Sequence, residues 1–268
     1  MGAIGRDEGR SAFGADPAGY DAARPDYPER VYDILRTRCG LRPGARTFEI
    51  GPGTGQATRR LLRFGADPLI VVEPDARLAE HLVRTLPHSG GRLTVNRAPF
   101  ETAELPCGWF DLGVAATVFH WLDQLSALRK AADLLRRGGW WAMWWNVFGD
   151  PTRPDPFHEA TRHLLQHLPR GPSSSAFGRP FALDCAARTA DLRAAGAFDR
   201  VECETIRWAE AFDPARVKAL YATFPSIDRL PLAEREGLLA ELGRIAEEAF
   251  GGRVERPLVT PVYTARRI

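Results

Sequence analysis

The sequence predicts an α/β protein with a mainly parallel sheet and helices on both of its faces. Two observations support this fold class: strand and helix patterns alternate regularly from residue 46 to residue 146, and the alternation resumes after residue 184. Alternating strands and helices are typical of parallel sheets, because each crossover helix packs back against the sheet. A chain of 268 residues is long enough for one such domain with sizeable insertions.

The individual elements follow from short apolar runs and the turn residues between them. We predict strands at 46–50, 69–73, 93–97, 111–115 and 140–146, and helices at 28–38, 56–64, 75–85 and 122–136. The last of these helices should stop at Gly138-Gly139. In the second half we predict a helix at 184–195 and strands at 200–210 and 257–266.

Two blocks interrupt this alternation and are interpreted as insertions that form a lid. Residues 147–183 are rich in Pro, Ser and Gly, and residues 212–251 have a helical pattern. We therefore expect an N-terminal cap segment at 1–40, a core made of 41–146, 184–211 and 252–268, and a lid made of 147–183 and 212–251. The lid should be apolar and aromatic, since the insertions carry Phe148, Phe157, Phe177, Phe181, Tyr221 and Phe224.

Charge and hydropathy narrow the class of protein. The chain has 36 Lys and Arg against 34 Asp and Glu, a net charge of +2, which argues against a protein devoted to nucleic acid. No apolar stretch reaches the roughly 20 residues of a membrane span, and the N-terminus shows no signal-peptide pattern. We expect a cytoplasmic protein. The preference for Arg, with only two Lys, suggests a GC-rich bacterial genome.

The Cys and His residues do not predict a metal site. The four cysteines, at positions 39, 107, 185 and 203, are scattered, so neither a zinc site nor a disulfide framework is expected. His163 and His167 are four residues apart on a helix, near His158, but no carboxylate or thiol completes a ligand set.

A glycine-rich turn follows the first predicted strand and opens the first helix of the alternating region. Its sequence is Glu49-Ile-Gly-Pro-Gly-Thr-Gly-Gln, in which Gly51, Gly53 and Gly55 allow a tight turn and a close approach of ligand to backbone. The third glycine comes one residue too early for a GxGxxG dinucleotide motif, and the Lys-Ser/Thr of a phosphate loop is absent. An NAD(P)-dependent oxidoreductase is therefore disfavoured.

Two acidic residues indicate which ligand the turn binds instead. Glu73 ends the second strand, where a carboxylate can accept hydrogen bonds from both hydroxyls of a ribose. Glu49 either faces an ammonium group or holds the turn itself. A nucleoside with a cationic amino group nearby satisfies both acids, which favours S-adenosylmethionine.

Five motifs in order give the chain a resemblance to a known family. Glu49-Ile-Gly-Pro-Gly-Thr-Gly, Val72-Glu-Pro-Asp, Phe110-Asp-Leu, His120-Trp and Leu135-Arg-Arg-Gly-Gly-Trp resemble the motifs of class I S-adenosylmethionine-dependent methyltransferases. The segment Tyr20-Asp-Ala-Ala-Arg-Pro-Asp-Tyr-Pro is similar to the one that precedes the core in the UbiE-like, small-molecule branch. The resemblance covers about residues 20–146 and implies a Rossmann-like, seven-stranded sheet whose last strand is antiparallel.

The resemblance also implies which residues hold the cofactor. The three glycines would line its methionine part, Glu73 would bind its ribose, and Arg24 would face its carboxylate. Residues 115–117 would form the floor near the sulfonium. Pro99 stands where many relatives have an acid, so the adenine contact is expected from Phe100 and Glu101. The full expected set is Tyr20, Arg24, Glu49, Gly51, Gly53, Gly55, Glu73, Pro74, Phe100, Glu101, Ala115 and Thr117.

Candidate substrate residues follow the fourth and fifth strands. His120 could act as a general base, since its ordinary pKa is near 6.5, although a structural role in the pocket wall is the favoured interpretation. Trp121, Trp145, Asn146 and Tyr221 are expected to contact the substrate.

The expected reaction is methyl transfer to a small, fairly hydrophobic molecule, such as a natural-product intermediate of secondary metabolism. The planar-amine signature Asn/Asp-Pro-Pro-aromatic is missing after the fourth strand, where the chain reads Ala116-Thr-Val-Phe-His-Trp. Two other readings stay open: a non-methylating reaction such as a cyclisation at the same cofactor site, and a non-catalytic cofactor-binding protein. The chain is expected to act as a monomer or homodimer, without nucleic acid, membrane or metal.

Overall fold

The computed structural model describes residues 14–86, 89–169 and 180–268. The strands within these ranges are β1 (Ala45–Ile50), β2 (Ala66–Val72), β3 (Leu93–Asn96), β4 (Phe110–Ala116), β5 (Leu135–Trp144), β6 (Val147–Phe148), β7 (Phe198–Phe212) and β8 (Val254–Arg267). The α-helices are α1 (Pro17–Ala23), α2 (Glu29–Thr37), α3 (Gln56–Arg63), α4 (Ala76–Thr85), α5 (Gln124–Leu134), α6 (Pro156–Leu165), α7 (Cys185–Ala194), α8 (Pro214–Ala222), α9 (Pro225–Asp228) and α10 (Leu232–Glu248). Short 3₁₀ helices span Phe119–Trp121 and Phe181–Leu183.

The strands form one sheet whose order matches the alternation in the sequence. From one edge it reads β3-β2-β1-β4-β5-β8, with β7 on the far side of β8 and the two-residue β6 pairing with β8 beyond the end of β5. The strands from β1 to β5 are parallel, and β8 runs antiparallel to its neighbours. The predicted α/β class and its antiparallel last strand are therefore confirmed. The described sheet has eight strands instead of seven because the first insertion contributes β6.

The helix before β5 ends earlier than the sequence predicts. α5 stops at Leu134, and β5 begins at the next residue and passes through Gly138 and Gly139. These glycines were expected to end the helix. Instead they lie within the strand, where a side chain at Gly139 would come within 3.0 Å of the Phe110 carbonyl of β4. The close approach of the two backbones therefore explains the glycine at this position.

Each face of the sheet buries its own apolar core. One core contains Phe48, Trp141 and Trp145, and the other contains Trp144 and Val114, as expected from alternating side chains along β1, β4 and β5. Trp145 follows the end of β5, so its ring lies where the core meets the carboxyl ends of the parallel strands. This is the edge of the sheet where α/β proteins place their ligands.

The helices of the two interrupting blocks pack on one another around a third apolar cluster. We call α6, α8, α9 and α10 the insertion helices. Phe157 of α6, Tyr221 of α8 and Leu242 of α10 are buried together, with Phe212 and Val254 from the outer ends of β7 and β8. Phe177 of the first insertion lies outside the described residues.

Candidate active site

A cavity of about 900 Å³ opens at the carboxyl ends of the parallel strands. It is bounded by the sheet, by the segment that contains α1, and by the insertion helices. Most residues that the sequence singles out line it: Tyr20, Arg24, Glu49, Gly51, Gly53, Glu73, Pro74, Phe100, Glu101, Thr117, His120, Trp121, Trp145, Asn146 and Tyr221. The cavity thus brings together positions spread over 200 residues of sequence.

The glycine-rich turn adopts a backbone conformation that its glycines make possible. Gly51, Gly53 and Gly55 have φ angles of 59°, 57° and 90°, in the left-handed region that disfavours other residues. A β-carbon on Gly51 would lie 2.4 Å from Cγ2 of Val118, so the loop after β4 also requires glycine here. The turn consequently presents bare backbone to the cavity at Gly51 and Gly53.

Two residues expected to hold the cofactor do not line the cavity. Gly55 is the N-cap of α3, and a β-carbon there would lie 2.4 Å from Cδ1 of Leu82, so its role is helix packing. Ala115 is fully buried within β4, because alternation along the strand directs its side chain into the core. The next residue, Ala116, lines the cavity instead.

The Glu73 carboxylate is fixed by the backbone of the turn. Its Oε2 accepts a hydrogen bond from the Gly53 amide at 3.1 Å, and its Oε1 accepts one from the Asp75 amide at 2.9 Å. Burial raises the pKa of Glu73 to about 7, although both hydrogen bonds act to lower it. Each oxygen has a second lone pair, so the carboxylate can still accept hydrogen bonds from a bound ligand.

Glu49 lies deeper, on β1, and holds the start of α3. Its Oε2 accepts a 2.7 Å hydrogen bond from the hydroxyl of Thr58, and the residue is almost completely buried. Burial, with a smaller contribution from the negative charge of Glu73, raises the pKa of Glu49 to about 8. Because Glu49 also lines the cavity, both roles foreseen for it from the sequence, facing an ammonium group and holding the turn, are compatible with its position.

Phe100 and Glu101 form the wall beside the end of β3. The Phe100 ring is buried, stacks on Phe48, and lies 5.2 Å below the ammonium group of Lys130. Lys130 also donates to the carbonyls of Glu101 and Ala103, at 3.1 and 2.7 Å. This short loop is therefore fixed in place next to the cavity.

Arg24 connects α1 to the insertion helices. Its Nε donates to the hydroxyl of Thr223 at 2.8 Å, and its guanidinium lies 5.1 Å from the Tyr20 ring and 4.7 Å from the Phe224 ring. Gln56 of α3 donates to the Arg24 carbonyl at 2.9 Å. Arg24 thus lines the cavity while its guanidinium is already hydrogen-bonded and stacked.

Tyr27 is a cavity residue that the sequence analysis did not select, although it lies in the segment from Tyr20 to Pro28. Its hydroxyl is 2.9 Å from the hydroxyl of Thr117, and burial raises its pKa. Thr117 has a φ of 56°, a rare left-handed conformation for a β-branched residue, and its amide donates to the Trp144 carbonyl. Strained backbone of this kind clusters at functional sites.

The imidazole of His120 is held by an indole. Nε1 of Trp145 donates a 3.0 Å hydrogen bond to Nδ1 of His120. An indole nitrogen can only donate, so Nδ1 must be the acceptor and the proton of the neutral ring is on Nε2. Burial lowers the pKa of His120 to about 3. A ring with this tautomer and pKa is a hydrogen-bond donor, and both features argue against a general base.

Asn146 lines the cavity, but its side-chain amide is hydrogen-bonded to other residues of the chain. Its Nδ2 donates to the carbonyls of Pro25 and Asp26, at 3.3 and 3.2 Å. Its Oδ1 accepts a 2.7 Å hydrogen bond from Thr260 of β8. Asn146 therefore ties the segment that contains Tyr27 to the sheet.

A charged group that the sequence analysis missed lies under the insertion helices. Arg256 of β8 is buried and lines the cavity; its Nε donates to both carboxylate oxygens of Asp155, at 3.0 and 2.9 Å. Its Nη1 donates to the Tyr221 hydroxyl at 2.8 Å. In the sequence, the only indication that Arg256 is buried was its position directly before the apolar run Pro257-Leu258-Val259.

Residues 14–86, 89–169 and 180–268 contain neither a metal-binding cluster nor a membrane-spanning helix. No group of three or more His, Cys, Asp or Glu side chains is arranged to hold a metal ion. No helix combines the length and the apolar character needed to cross a bilayer.

The parallel strands and the glycine-rich turn are similar to those of a known protein family. A family model described as a methyltransferase domain matches residues 48–143, from β1 to the end of β5. An uncharacterized methyltransferase of Schizosaccharomyces pombe is 26% identical over 261 residues, which cover 96% of this chain and 97% of the relative. The similarity to this relative therefore includes the insertions as well as the matched domain.

Solved structures share the fold at lower sequence identity. The [4+2]-cyclase SpnF aligns over all of this chain and 97% of its own, with a TM-score of 0.60 and 17% identity. A phosphoethanolamine N-methyltransferase of Haemonchus contortus, solved with S-adenosylhomocysteine, aligns over 95% of this chain and 57% of its own, with a TM-score of 0.57 and 14% identity. These likenesses support the fold.

Proposed function

We propose that this chain, whose sheet matches a methyltransferase family model and whose relatives are named methyltransferases, is a class I S-adenosylmethionine-dependent methyltransferase that methylates a small, fairly hydrophobic acceptor. One observation carries the proposal: a single cavity joins the glycine-rich turn and Glu73 to the aromatic side chains of the insertions. A pocket of about 900 Å³ is large enough for a nucleoside cofactor together with a small second molecule.

The residues at the sheet end of the cavity fit S-adenosylmethionine. The buried Glu73 carboxylate, held by the Gly53 amide, is a suitable acceptor for the two hydroxyls of a ribose. The second buried acid, Glu49, suits a cationic amino group. We assign Gly51 and Gly53 to the methionine part and Phe100 and Glu101 to the adenine. When bound, S-adenosylmethionine supplies a methyl group attached to a sulfonium. The thioether that departs from this methyl group is already an excellent leaving group.

The remaining work of this chain is positioning and the exclusion of water. Orienting two reactants can lower a barrier by roughly 7–11 kcal/mol, so no single catalytic residue is required. The rings of Trp145 and Phe181 lie edge to face, 5.8 Å apart, and both line the cavity. We propose that these rings, with the insertion helices as a lid, orient an apolar acceptor.

We assign His120 the role of hydrogen-bond donor to the acceptor. Its Nδ1 is occupied by Trp145, so the proton on Nε2 is the one available to a ligand. This assignment replaces the general base that the sequence suggested. Trp121 also packs on the imidazole, with ring centroids 4.9 Å apart, and is part of this wall.

Other features of the proposal rest on the sequence. We keep a natural-product intermediate as the acceptor, a cytoplasmic setting, and a monomer or homodimer as the working unit. The likeness to a [4+2]-cyclase extends to the fold alone, so methyl transfer remains the function that we propose.

The test is transfer of a labelled methyl group. The purified protein is incubated with S-adenosylmethionine carrying a ¹³C-methyl group and with a panel of apolar phenols, amines and carboxylic acids. We expect at least one acceptor to gain the label while S-adenosylhomocysteine forms in equal amount, and the Glu73→Ala variant to lose at least nine tenths of the activity. An acceptor that is converted without any loss of S-adenosylmethionine would instead indicate a non-methylating reaction.

A further inference from the structure

We propose that the acceptor is an elongated molecule that ends in a carboxylate, and that Arg256 binds this carboxylate at the end of the cavity that the insertion helices form, beyond the end of β5. The inference rests on the proposed function and adds a substrate class to it. Three features of the structure support it: the free edge of the Arg256 guanidinium, the distribution of charge around the cavity, and the reach of β8 beyond β5.

The Arg256 guanidinium has hydrogen-bonding capacity left over on the cavity side. Nε is used by Asp155 and Nη1 by Tyr221, whereas Nη2 makes no hydrogen bond within the described part of the chain. Arg256 lines the cavity, and Asp155 does not. The acid therefore orients the guanidinium from behind and leaves an N–H edge for a ligand. Guanidinium and carboxylate groups match in geometry and form strong charge-assisted hydrogen bonds.

The surroundings of Arg256 favour a ligand with an apolar body and a single negative charge. The guanidinium carbon lies 5.6 Å from the ring centres of Phe148 and Phe157. The side chains of Arg256 and Asp155 are only 6% and 8% exposed, so little water reaches this pair. An oxyanion is held more strongly in such a place than in water. Because Asp155 and Tyr221 already occupy Nε and Nη1, the remaining Nη2 edge suits one carboxylate group.

The two buried acids and the buried arginine of the cavity lie at different ends of it, while a second arginine, Arg24, is half-buried and hydrogen-bonded to Thr223. Two buried acids, Glu49 and Glu73, lie at the sheet end. On α6, Glu159 and Arg162 approach to 3.7 Å and largely cancel each other at an exposed position. Arg256 is therefore the buried cation at the lid end. An anionic group of the acceptor therefore finds its buried hydrogen-bonding partner at Arg256, away from Glu49 and Glu73, and this orients the molecule along the cavity.

The position of Arg256 along β8 indicates how long the acceptor is. Val262 of β8 pairs with Trp144 at the carboxyl end of β5, and Arg256 lies six residues farther along the antiparallel strand. In an extended strand this corresponds to about 20 Å. The carboxylate is thus an anchor distant from the end of β5, while the methylated atom lies near His120 and the cofactor.

The experiment uses protein saturated with S-adenosylhomocysteine and a series of ω-phenylalkanoates of increasing chain length, each paired with its neutral amide. Binding is followed by calorimetry. We expect at least one acid to bind ten times more tightly than its amide to the wild type. In Arg256→Gln this preference should fall below twofold, while Arg244→Gln, an exposed arginine of α10, should keep it.

A second variant covers the case in which Arg256→Gln fails to fold, since it leaves a buried acid unpaired. In the double variant Asp155→Asn, Arg256→Gln a neutral hydrogen-bonded pair replaces the ion pair, and the preference should again be lost. Acid preference that is absent from the whole series in the wild type, or that persists in the double variant, would overturn the proposal. S-adenosylhomocysteine binding is measured separately; if the wild type fails to bind it, the proposed function itself fails.

Discussion

The indole nitrogen of Trp145 donates a hydrogen bond to Nδ1 of His120 at 3.0 Å, in the wall of the cavity. Trp145 follows the end of β5 and His120 lies in the 3₁₀ helix after β4, so neighbouring parallel strands bring the two rings together. Phe181 packs against both rings, with centroids 5.8 and 6.1 Å away. The imidazole is therefore fixed both in orientation and in tautomer.

The first prediction concerns the protonation of His120. Because burial lowers its pKa to about 3, the ring should stay neutral, with the proton on Nε2, between pH 5 and pH 8. In long-range ¹⁵N–¹H spectra of histidine-labelled protein, the ring assigned to His120 by the loss of its signals in His120→Gln should not titrate in this range. In Trp145→Phe the tautomer should no longer be fixed. If His120 titrated near pH 6.5, this prediction would be contradicted and His120 would again be a candidate general base.

The second prediction is that S-adenosylhomocysteine binds more tightly as pH rises. The ribose hydroxyls of the ligand donate hydrogen bonds to the ionised form of Glu73. Burial raises the pKa of Glu73 to about 7. About one tenth of Glu73 is then ionised at pH 6 and about nine tenths at pH 8, so the apparent affinity should rise about tenfold. Calorimetry at both pH values measures it. Glu73→Gln should bind weakly and show a less steep profile, in which only the ionisation of Glu49 contributes; an equally steep profile in this variant would exclude Glu73 as a source.

The third prediction concerns stability and Glu49. Its pKa is raised in the folded protein to about 8 from an ordinary 4.5, so the folded state holds its proton more tightly than the unfolded state. The stability that the protonated Glu49 contributes to the folded state is fully present below pH 4.5, and it is lost as pH rises through 8. Glu49→Gln should therefore leave Tm nearly unchanged at pH 5 and raise it by at least about 2 °C at pH 9.

The control for this measurement is Glu80→Gln, on the exposed face of α4, with a side chain 65% exposed. It should change Tm little at either pH, since an exposed ion pair contributes little to stability. An increase in Tm for Glu49→Gln that is equal at pH 5 and pH 9 would show that titration of Glu49 is not responsible.

The fourth prediction is that Asn146 acts through the segment that it holds. Asn146→Ala removes the hydrogen bonds to Pro25 and Asp26, so amide hydrogen exchange in residues 17–27 should speed up. S-adenosylhomocysteine affinity should fall at least threefold, because Tyr20 and Arg24 line the cavity. Asn96→Ala, at a half-buried site outside the cavity, should change neither quantity. Unchanged exchange in Asn146→Ala would leave a direct substrate contact as its role.

Much of the fold could be predicted because it depends on local patterns. The apolar run of β2 and the glycine-rich turn after β1 were identified from neighbouring residues alone. The turn lies where expected, and β2 spans Ala66–Val72, so it begins three residues before the predicted 69–73 and ends one residue earlier. The boundary between α5 and β5 was wrong because it depends on contact with β4: Gly139 was read as a helix end, whereas it permits the close approach of two strands.

The candidate site was predictable at the cofactor end and much less so at the lid end. Glu73 and Gly53 are 20 residues apart in one strand-helix-strand unit, and both line the cavity as the sequence predicted. Arg256 and Asp155 are separated by 101 residues, and no local pattern signals their ion pair. Asn146 was expected to face substrate, and the partners that occupy its amide are more than 100 residues away.

The central claim is that the glycine-rich turn and Glu73 bind S-adenosylmethionine, and calorimetric titration tests it most directly. The purified protein is titrated with S-adenosylmethionine, S-adenosylhomocysteine and NADH, with Glu73→Ala as the control. We predict micromolar binding of both sulfur nucleosides, about −8 kcal/mol, no binding of NADH, and at least tenfold weaker binding in Glu73→Ala. Preference for NADH, or failure to bind any of the three, would contradict the account and reduce the glycine-rich turn to a structural feature of the sheet.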